Sequence, residues 1–261
     1  MKSDALNVTD HLTVRTVAED PDLPDRLQGL IDEVWPRFVT EGHNAASQYR
    51  PDWMAVYTDW PALQFGFFDP VDDTLVACGN AMACRLETPI DTLSDDGWDW
   101  ALDLAQKQLR EGTQPNLGCA LSATINPRYQ GAGLSSLLVR TMRKLLDHHG
   151  ISRMAAPVRP NRKSDYPLIP ITEYSRWQTG NGLPFDPWMR VHARLGAKVV
   201  KVCPRSMTIA GSVAEWEAWC GRPLPGSGHF VLPGLLAPLQ VNKATDRGVY
   251  VEPNVWMIHA W

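Results

Sequence analysis

Cys119 to Ser135 constrains the chain more than any other stretch, because a strand pattern passes there into a helix pattern through a glycine-rich turn. Cys119, Leu121, Ala123 and Ile125 alternate with Ala120, Ser122, Thr124 and Asn126, the period of a half-buried strand. After the turn Pro127-Arg128-Tyr129-Gln130-Gly131-Ala132-Gly133, the residues Leu134, Leu137, Leu138, Met142, Leu145 and Leu146 recur at helical spacing, and the segment ends at Gly150. Glycines at such a junction let the backbone approach a ligand closely, while the unpaired N–H groups and the dipole of the following helix attract negative charge. The pattern predicts that main chain, not side chain, binds a pyrophosphate.

The spacing narrows the ligand. A G-x-G-x-x-G dinucleotide fingerprint wants a small residue at Ser136 and an acid about 20 residues on. That region reads Arg153-Met154-Ala155, without an acid. The Gly-Lys-Ser/Thr of a P-loop is absent. The segment instead resembles motif A of the GCN5-related N-acetyltransferase (GNAT) superfamily, a strand ending in apolar-x-Pro followed by Q/R-x-x-G-x-G/A. Ile125-Asn126-Pro127 supplies the first part. Gln130, Gly133 and Ser135 supply the second, with serine where the family has glycine or alanine; Arg128-x-x-Gly131-x-Gly133 is a second register that matches letter for letter.

Further matches follow in the family's order, over roughly residues 117–202. Ile151 to Val158 reads as the next strand, and Asn161 stands where the family often places an asparagine that contacts coenzyme A. Pro187 to Ala197 resembles the family's short helix and its tyrosine-x-x-x-Gly-Phe ending, with His192 at the tyrosine position and Ala197 at the phenylalanine position. A glycine-rich turn alone is often purely structural; the ordered set is what carries the resemblance.

The resemblance implies an α/β fold with a mixed, mostly antiparallel central sheet flanked by helices, and the rest of the chain agrees. His11 to Val17 alternates as a strand. Leu23, Leu27, Leu30, Ile31, Val34 and Trp35 make one helical face, and Gln64 to Asp69 and Thr74 to Leu86 read as an antiparallel pair. Trp98, Ala101, Leu102, Ala105 and Leu109 mark another helix, and Val249 to His259 a returning strand. The expected organisation is a flexible tail over residues 1–10 and a single domain over 11–261, with insertions at about 162–186 and 204–248.

As to activity, the resemblance implies an acyl-CoA-dependent acyltransferase, moving acetyl from acetyl-CoA to an amine of a small-molecule or peptide acceptor by direct attack. By the same resemblance, main-chain groups of Ala123, Thr124 and Ile125 pair with the pantetheine arm. Those of Gln130, Gly131, Ala132, Gly133, Leu134 and Ser135 hold the pyrophosphate, with Asn161 as a further contact. The oxyanion is expected at a strand N–H near Ile125.

The family's tyrosine commonly protonates the departing thiolate, so His192 is the candidate acid. An ordinary histidine pKa near 6.5 makes turnover fall as pH rises through it. Strand Ala120 to Asn126 offers no carboxylate, which leaves His192, Asp186, Glu252 or a water chain through Ser122 as candidate bases. The proline-, tyrosine- and glycine-rich segment before Pro187 is expected to wall the acceptor site, through Tyr166, Tyr174, Trp177 and Asp186. Scaffolding or a homodimer contact is the alternative role for both insertions.

Two rival functions remain open at this point. One is a non-catalytic acyl-CoA-binding or interaction module that kept motif A. The other is a nucleotide-dependent oxidoreductase using the glycine turn. Net charge is -4 with both signs interspersed, which argues against a nucleic-acid surface. No apolar run is long enough to span a bilayer, and Asp4, Asn7 and Asp10 interrupt any leader pattern, so the expected location is cytoplasmic. Five cysteines without C-x-x-C spacing predict buried thiols and no metal.

Overall fold

A computed structural model describes residues 11–42, 49 and 51–261; the tail expected over 1–10 lies outside the described residues. The strands are β1 (Thr13–Thr16), β2 (Gln64–Phe68), β3 (Leu75–Cys84), β4 (Leu117–Ile125), β5 (Arg153–Val158), β6 (Lys198–Gly211), β7 (Gly228–Phe230), β8 (Leu239–Asn242) and β9 (Arg247–Ala260). The helices are α1 (Leu23–Val34), α2 (Arg37–Thr40), α3 (Val56–Asp59), α4 (Gly97–Arg110), α5 (Leu134–His148), α6 (Ile171–Tyr174), α7 (Pro187–Arg194) and α8 (Val213–Cys220).

All the strands join one nine-stranded sheet in the order β1-β2-β3-β4-β5-β9-β8-β7, with β6 on the other edge of β9. Every pairing is antiparallel except β4 with β5. That parallel pair is short. Gly118 faces Met154 and Cys119 faces Ala155, and there the ladder stops, although β4 runs on to Ile125 and β5 to Val158. The two strands therefore splay, and a cleft opens between them.

The apolar stripes anticipated from the sequence are the buried ones. α5 buries Leu134, Leu138, Val139, Met142 and Leu146, while α4 buries Ala101, Leu102 and Ala105. Both join a core with Phe65, Phe67, Val76 and Met82 of the sheet. Fully burying one such side chain contributes roughly 1.5–3 kcal/mol, so these faces hold the helices against the strands. Cys78, Cys84, Cys119 and Cys203 are buried in the same core.

Two segments differ from expectation. The stretch read as leaving the sheet near Pro204 bulges only over residues 204–206 and then rejoins it, because β6 pairs with β9 again from Met207 to Gly211. Past it, Ser212 and Glu215 close a capping box on α8, and Trp216 packs with Phe38 and Tyr250 in a second core. The stretch 162–186 packs as well: Tyr166, Tyr174, Trp177 and Phe185 form an aromatic cluster with ring centroids 5.0–6.2 Å apart. That cluster joins a third core with Met189, Val255 and Met257.

Candidate active site

The splay between β4 and β5 leads into a cavity of about 1030 Å3. At its mouth stands the glycine turn. Gly131 and Gly133 have φ of 85° and 79°, the left-handed region that glycine enters without a steric cost. Among the described residues, no protein acceptor is found for the N–H groups of Gly131 to Ser135. Two left-handed residues just before α5 thus leave a row of donors at a helix N-terminus, an anion-binding arrangement. A Cβ added at Gly131 or Gly133 meets nothing within 4 Å, so the space in front of the turn is open.

Of the predicted cofactor contacts, Ala123, Thr124, Ile125, Gln130, Gly131, Ser135 and Asn161 line the cavity. Ala132, Gly133 and Leu134 do not. Leu134 is buried in the core beneath the turn, and Gly133 is the residue preceding the helix, so any part they take is through backbone. Ile125 stays in register opposite Ala77, and since the Asn126 N–H donates to the Val76 carbonyl the Ile125 N–H turns away from β3 toward the cleft, where the oxyanion position is expected. The register of β3 with β4 slips instead at Asn80/Ala81, which leaves Leu121 as an extra residue between Ala120 and Ser122. A bulge frees main-chain groups from pairing and re-aims the strand, and this one sits on the cavity wall.

Ser122 lines the cavity and its hydroxyl donates to Asn80 Oδ1 at 2.6 Å. The direction is forced. Gln64 Nε2 is held by the carbonyls of Trp60 and Ala81, so Gln64 Oε1 must accept from Asn80 Nδ2, and Asn80 Oδ1 must then accept from Ser122. The hydroxyl hydrogen is used up, and Ser122 Oγ can offer a ligand only lone pairs.

The other catalytic candidates fare unequally. Asp186 is buried at the start of α7. Its carboxylate accepts from the N–H groups of Trp188, Met189 and Arg162 and from the Tyr174 hydroxyl, so it is a helix cap and not a base at the cavity. Tyr166, Tyr174 and Trp177 likewise leave the cavity for the aromatic cluster, and the acceptor wall expected of them is not theirs. Glu252 does line the cavity, fully buried. Both of its oxygens accept from Arg159 Nε, at 3.0 and 2.9 Å, and Oε2 also accepts from the Tyr250 hydroxyl at 3.0 Å.

His192 lines the cavity with only 1% of its surface exposed. Its Nδ1 lies 2.9 Å from His259 Nε2, and its ring stands edge-on to Trp188 at 4.5 Å. Burial, reinforced by His259, lowers its pKa to about 3. Burial and the Arg143 charge lower that of His259 to about 4, against the nearby Leu195 carbonyl, although Nδ1 of that ring has no hydrogen-bond partner. Near neutral pH both rings are uncharged. The fall in turnover expected as pH rises through 6.5 is therefore corrected: His192 holds no titrating proton there, and acts only as a neutral donor or acceptor.

The pair makes stability depend on pH. In the unfolded chain each ring takes a proton below about pH 6.5, whereas in the folded chain it stays neutral down to its lowered value. Stability should thus be full above pH 6.5 and fall as pH drops toward 4, by about 1.4 kcal/mol per pH unit for each ring. Urea unfolding from pH 7 to pH 4.5 should show a flatter decline in His192→Gln/His259→Gln than in the parent. Equal slopes would contradict a neutral pair.

The cavity also takes in a chamber that sequence reasoning missed, walled by α1, the segment after it, Trp98 and the Met207 and Ile209 part of β6. Trp35, Trp53 and Trp98 line it, with every indole N–H already spent on Thr124 Oγ1, Gln28 Oε1 and the Leu121 carbonyl respectively. They have no N–H left for a ligand and offer it ring surface. Half-buried Arg159 and buried Glu252 and Asn254 are polar groups of the far wall. Glu252 and Asn254, two residues apart in an apolar strand, were the one available signal.

No family model matches the chain. It is 28% identical, over 95% of its length and 93% of the relative's, to the arginine N-acetyltransferase avaD of Aspergillus versicolor. In fold it resembles the loading GNATL domain of CurA from Lyngbya majuscula, with a TM-score of 0.60 at 16% identity over 95% of this chain and 97% of that one. It also resembles the GphF GNAT-like decarboxylase, solved in complex with isobutyryl-CoA, with a TM-score of 0.54 at 14% identity over 95% and 98% of the two chains. Among the described residues, no helix is long and apolar enough to cross a membrane, and no group of three or more His, Cys, Asp or Glu is placed to hold a metal ion.

Proposed function

We propose that the chain is an N-acetyltransferase of the GNAT superfamily, that its β4–β5 cleft holds acetyl-CoA and that the chamber presents a small amine. L-Arginine is the first acceptor to test, because the curated relative is an arginine N-acetyltransferase. The observation that carries the reading is the row of unpaired N–H groups from Gly131 to Ser135 at the mouth of the splay.

In this reading the turn and the N-terminus of α5 hold the pyrophosphate, and the freed edges of β4 and β5 hold the pantetheine arm. The thioester supplies an activated acetyl group. The amine nitrogen bonds to its carbonyl carbon, the C–S bond breaks, and one proton passes in net from nitrogen to sulfur. The bulge at Leu121 offers main-chain polarity to the carbonyl, and Ser122 Oγ accepts a hydrogen bond from the amine or from a water. His192, neutral and on the cavity wall, is placed to exchange a hydrogen bond with the sulfur or with that water. The rival oxidoreductase reading fits poorly with a sheet whose strands pair parallel only once.

The test is thiol release from acetyl-CoA with L-arginine, phenethylamine and a lysine peptide, followed by mass spectrometry of the acceptor. Acetylated arginine formed well above the rate of thioester hydrolysis is expected. Binding of acetyl-CoA without transfer to any amine would favour a non-catalytic acyl-CoA module instead.

A further inference from the structure

β9 has a gap beside the chamber. On the edge it shares with β8 and β5, pairing with β8 stops at Val249 and pairing with β5 begins at Val255, which leaves residues 250–254 without a strand partner there. Arg159, the residue after β5, reaches into that gap. Its Nε donates to both oxygens of Glu252, which has no exposed surface, and its Nη2 donates to the Gly234 carbonyl at 2.7 Å. The Tyr250 hydroxyl accepts from the Leu236 N–H and donates to Glu252 Oε2, so it holds the carboxylate from another direction. The guanidinium is fixed by two of its three nitrogens.

The third is free. Nη1 carries two N–H groups and makes no hydrogen bond among the described residues. It is not shut away either: the Arg159 side chain keeps 19% of its surface and lines the cavity, and Nη1, unlike Asn254 Oδ1, is not a buried atom without a partner. Gly234 locates this head group, because a Cβ added there would lie 3.7 Å from Pro36 Cγ, and Pro36 follows Trp35 on the chamber wall. The guanidinium therefore stands between the end of β5 and the α1 side of the chamber.

Among the described residues that line the cavity, Arg159 is the one Lys or Arg and Glu252 the one Asp or Glu. Glu252 is enclosed, with both oxygens occupied, so the charged group that the wall can still satisfy on a ligand is an anion. We propose that Arg159 Nη1 binds a carboxylate of the acceptor, so that the chamber takes amino acids in preference to the amines that lack that group. Glu252 balances the charge of the pair, and what the acceptor gains is directed N–H bonds from a guanidinium that is already held in place. The positive end of L-arginine then lies against the ring faces of Trp35, Trp53 and Trp98. Arg159 touches no reacting atom; it sets specificity. This rests on the acetyl-transfer reading and adds to it a narrower class of acceptor and the residue that reads it.

The experiment is calorimetry on the full chain saturated with coenzyme A, with two matched pairs as probes: L-arginine against agmatine, and L-phenylalanine against phenethylamine. Within each pair the amine lacks only the carboxylate. In at least one pair the parent should bind the amino acid about 30-fold more tightly than the amine, the worth of one or two hydrogen bonds to a charged group. Arg159→Met/Glu252→Leu removes the pair without leaving a buried charge, and Arg159→Lys keeps a cation beside Glu252 without the planar fork. Both variants should retain parental affinity for coenzyme A, which also reports that they are folded, and should bind the two members of that pair within about threefold of each other. If the parent binds the amines as tightly as the amino acids, if it binds no member of either pair, or if a folded variant keeps the parental preference, the inference is overturned, with coenzyme A binding intact. If the parent fails to bind coenzyme A, the acetyl-transfer reading itself falls, and the inference with it.

Discussion

Gly131→Val is expected to leave a folded protein whose affinity for acetyl-CoA has dropped by about 100-fold. Gly131 lines the cavity at φ 85°, a region that a β-branched residue essentially never occupies. A Cβ there would meet no protein atom within 4 Å, so the cost to the fold is mainly conformational, about 1–2 kcal/mol. Its cost to binding is larger. The isopropyl group fills the open space through which a pyrophosphate must approach, and a backbone relaxing out of the left-handed region turns the N–H row away from it. Hydrogen bonds to a charged group contribute about 1.5–3 kcal/mol each, so losing one or two of them gives the stated drop. Gly112→Val, at φ 71° just past α4 and equally open, is the matched control: similar strain, parental affinity by calorimetry. Equal affinities in all three proteins would remove the pyrophosphate from this turn.

Arg159→Met is expected to destabilise the fold by about 3–5 kcal/mol in urea unfolding. The guanidinium donates through Nε to both oxygens of Glu252 and through Nη2 to the Gly234 carbonyl at 2.7 Å, joining β5, β9 and the loop before β8. Glu252 has no exposed surface, so without its partner it becomes a buried charge in a wall that also holds Met207 and Ile209. Replacing both members of a buried pair by apolar side chains costs far less than removing one. Arg159→Met/Glu252→Leu should therefore recover most of the loss. A single variant that costs under about 1 kcal/mol would mean that water reaches Glu252 freely, and that the far wall of the chamber is wetter than described.

Much of the scaffold was legible because it is written locally. Period-two runs became β2, β3, β4, β5 and β9 within a few residues of their expected ends, and the stripe from Leu134 to Leu146 is the buried face of α5. The glycine turn was legible for the same reason, since left-handed backbone before a helix has few sequence solutions. The chamber was not. Its defining pairs are distant in sequence, Arg159 with Glu252 at 93 residues and Trp35 with Thr124 at 89, so no local pattern announces them.

The misassigned aromatics show the converse. Tyr166, Tyr174 and Trp177 look like a binding wall in a proline-rich loop, yet they satisfy one another's edges and faces and the Tyr174 hydroxyl caps its needs on Asp186. His192 was placed at the cavity, but its protonation was misjudged, because burial in the folded chain, reinforced by the charge interaction with His259, sets it.

The central claim is that the β4–β5 cleft is a coenzyme A site ending at an amine chamber, and a crystal structure of the protein with coenzyme A and L-arginine tests it most directly. Electron density should place the pyrophosphate against the N–H groups of Gly131 to Ser135, the sulfur between the splayed strands within reach of Ser122, and the arginine in the chamber lined by Trp35, Trp53 and Trp98. Density for coenzyme A elsewhere on the surface, with the turn and the cleft occupied only by solvent at saturating ligand, would contradict the account.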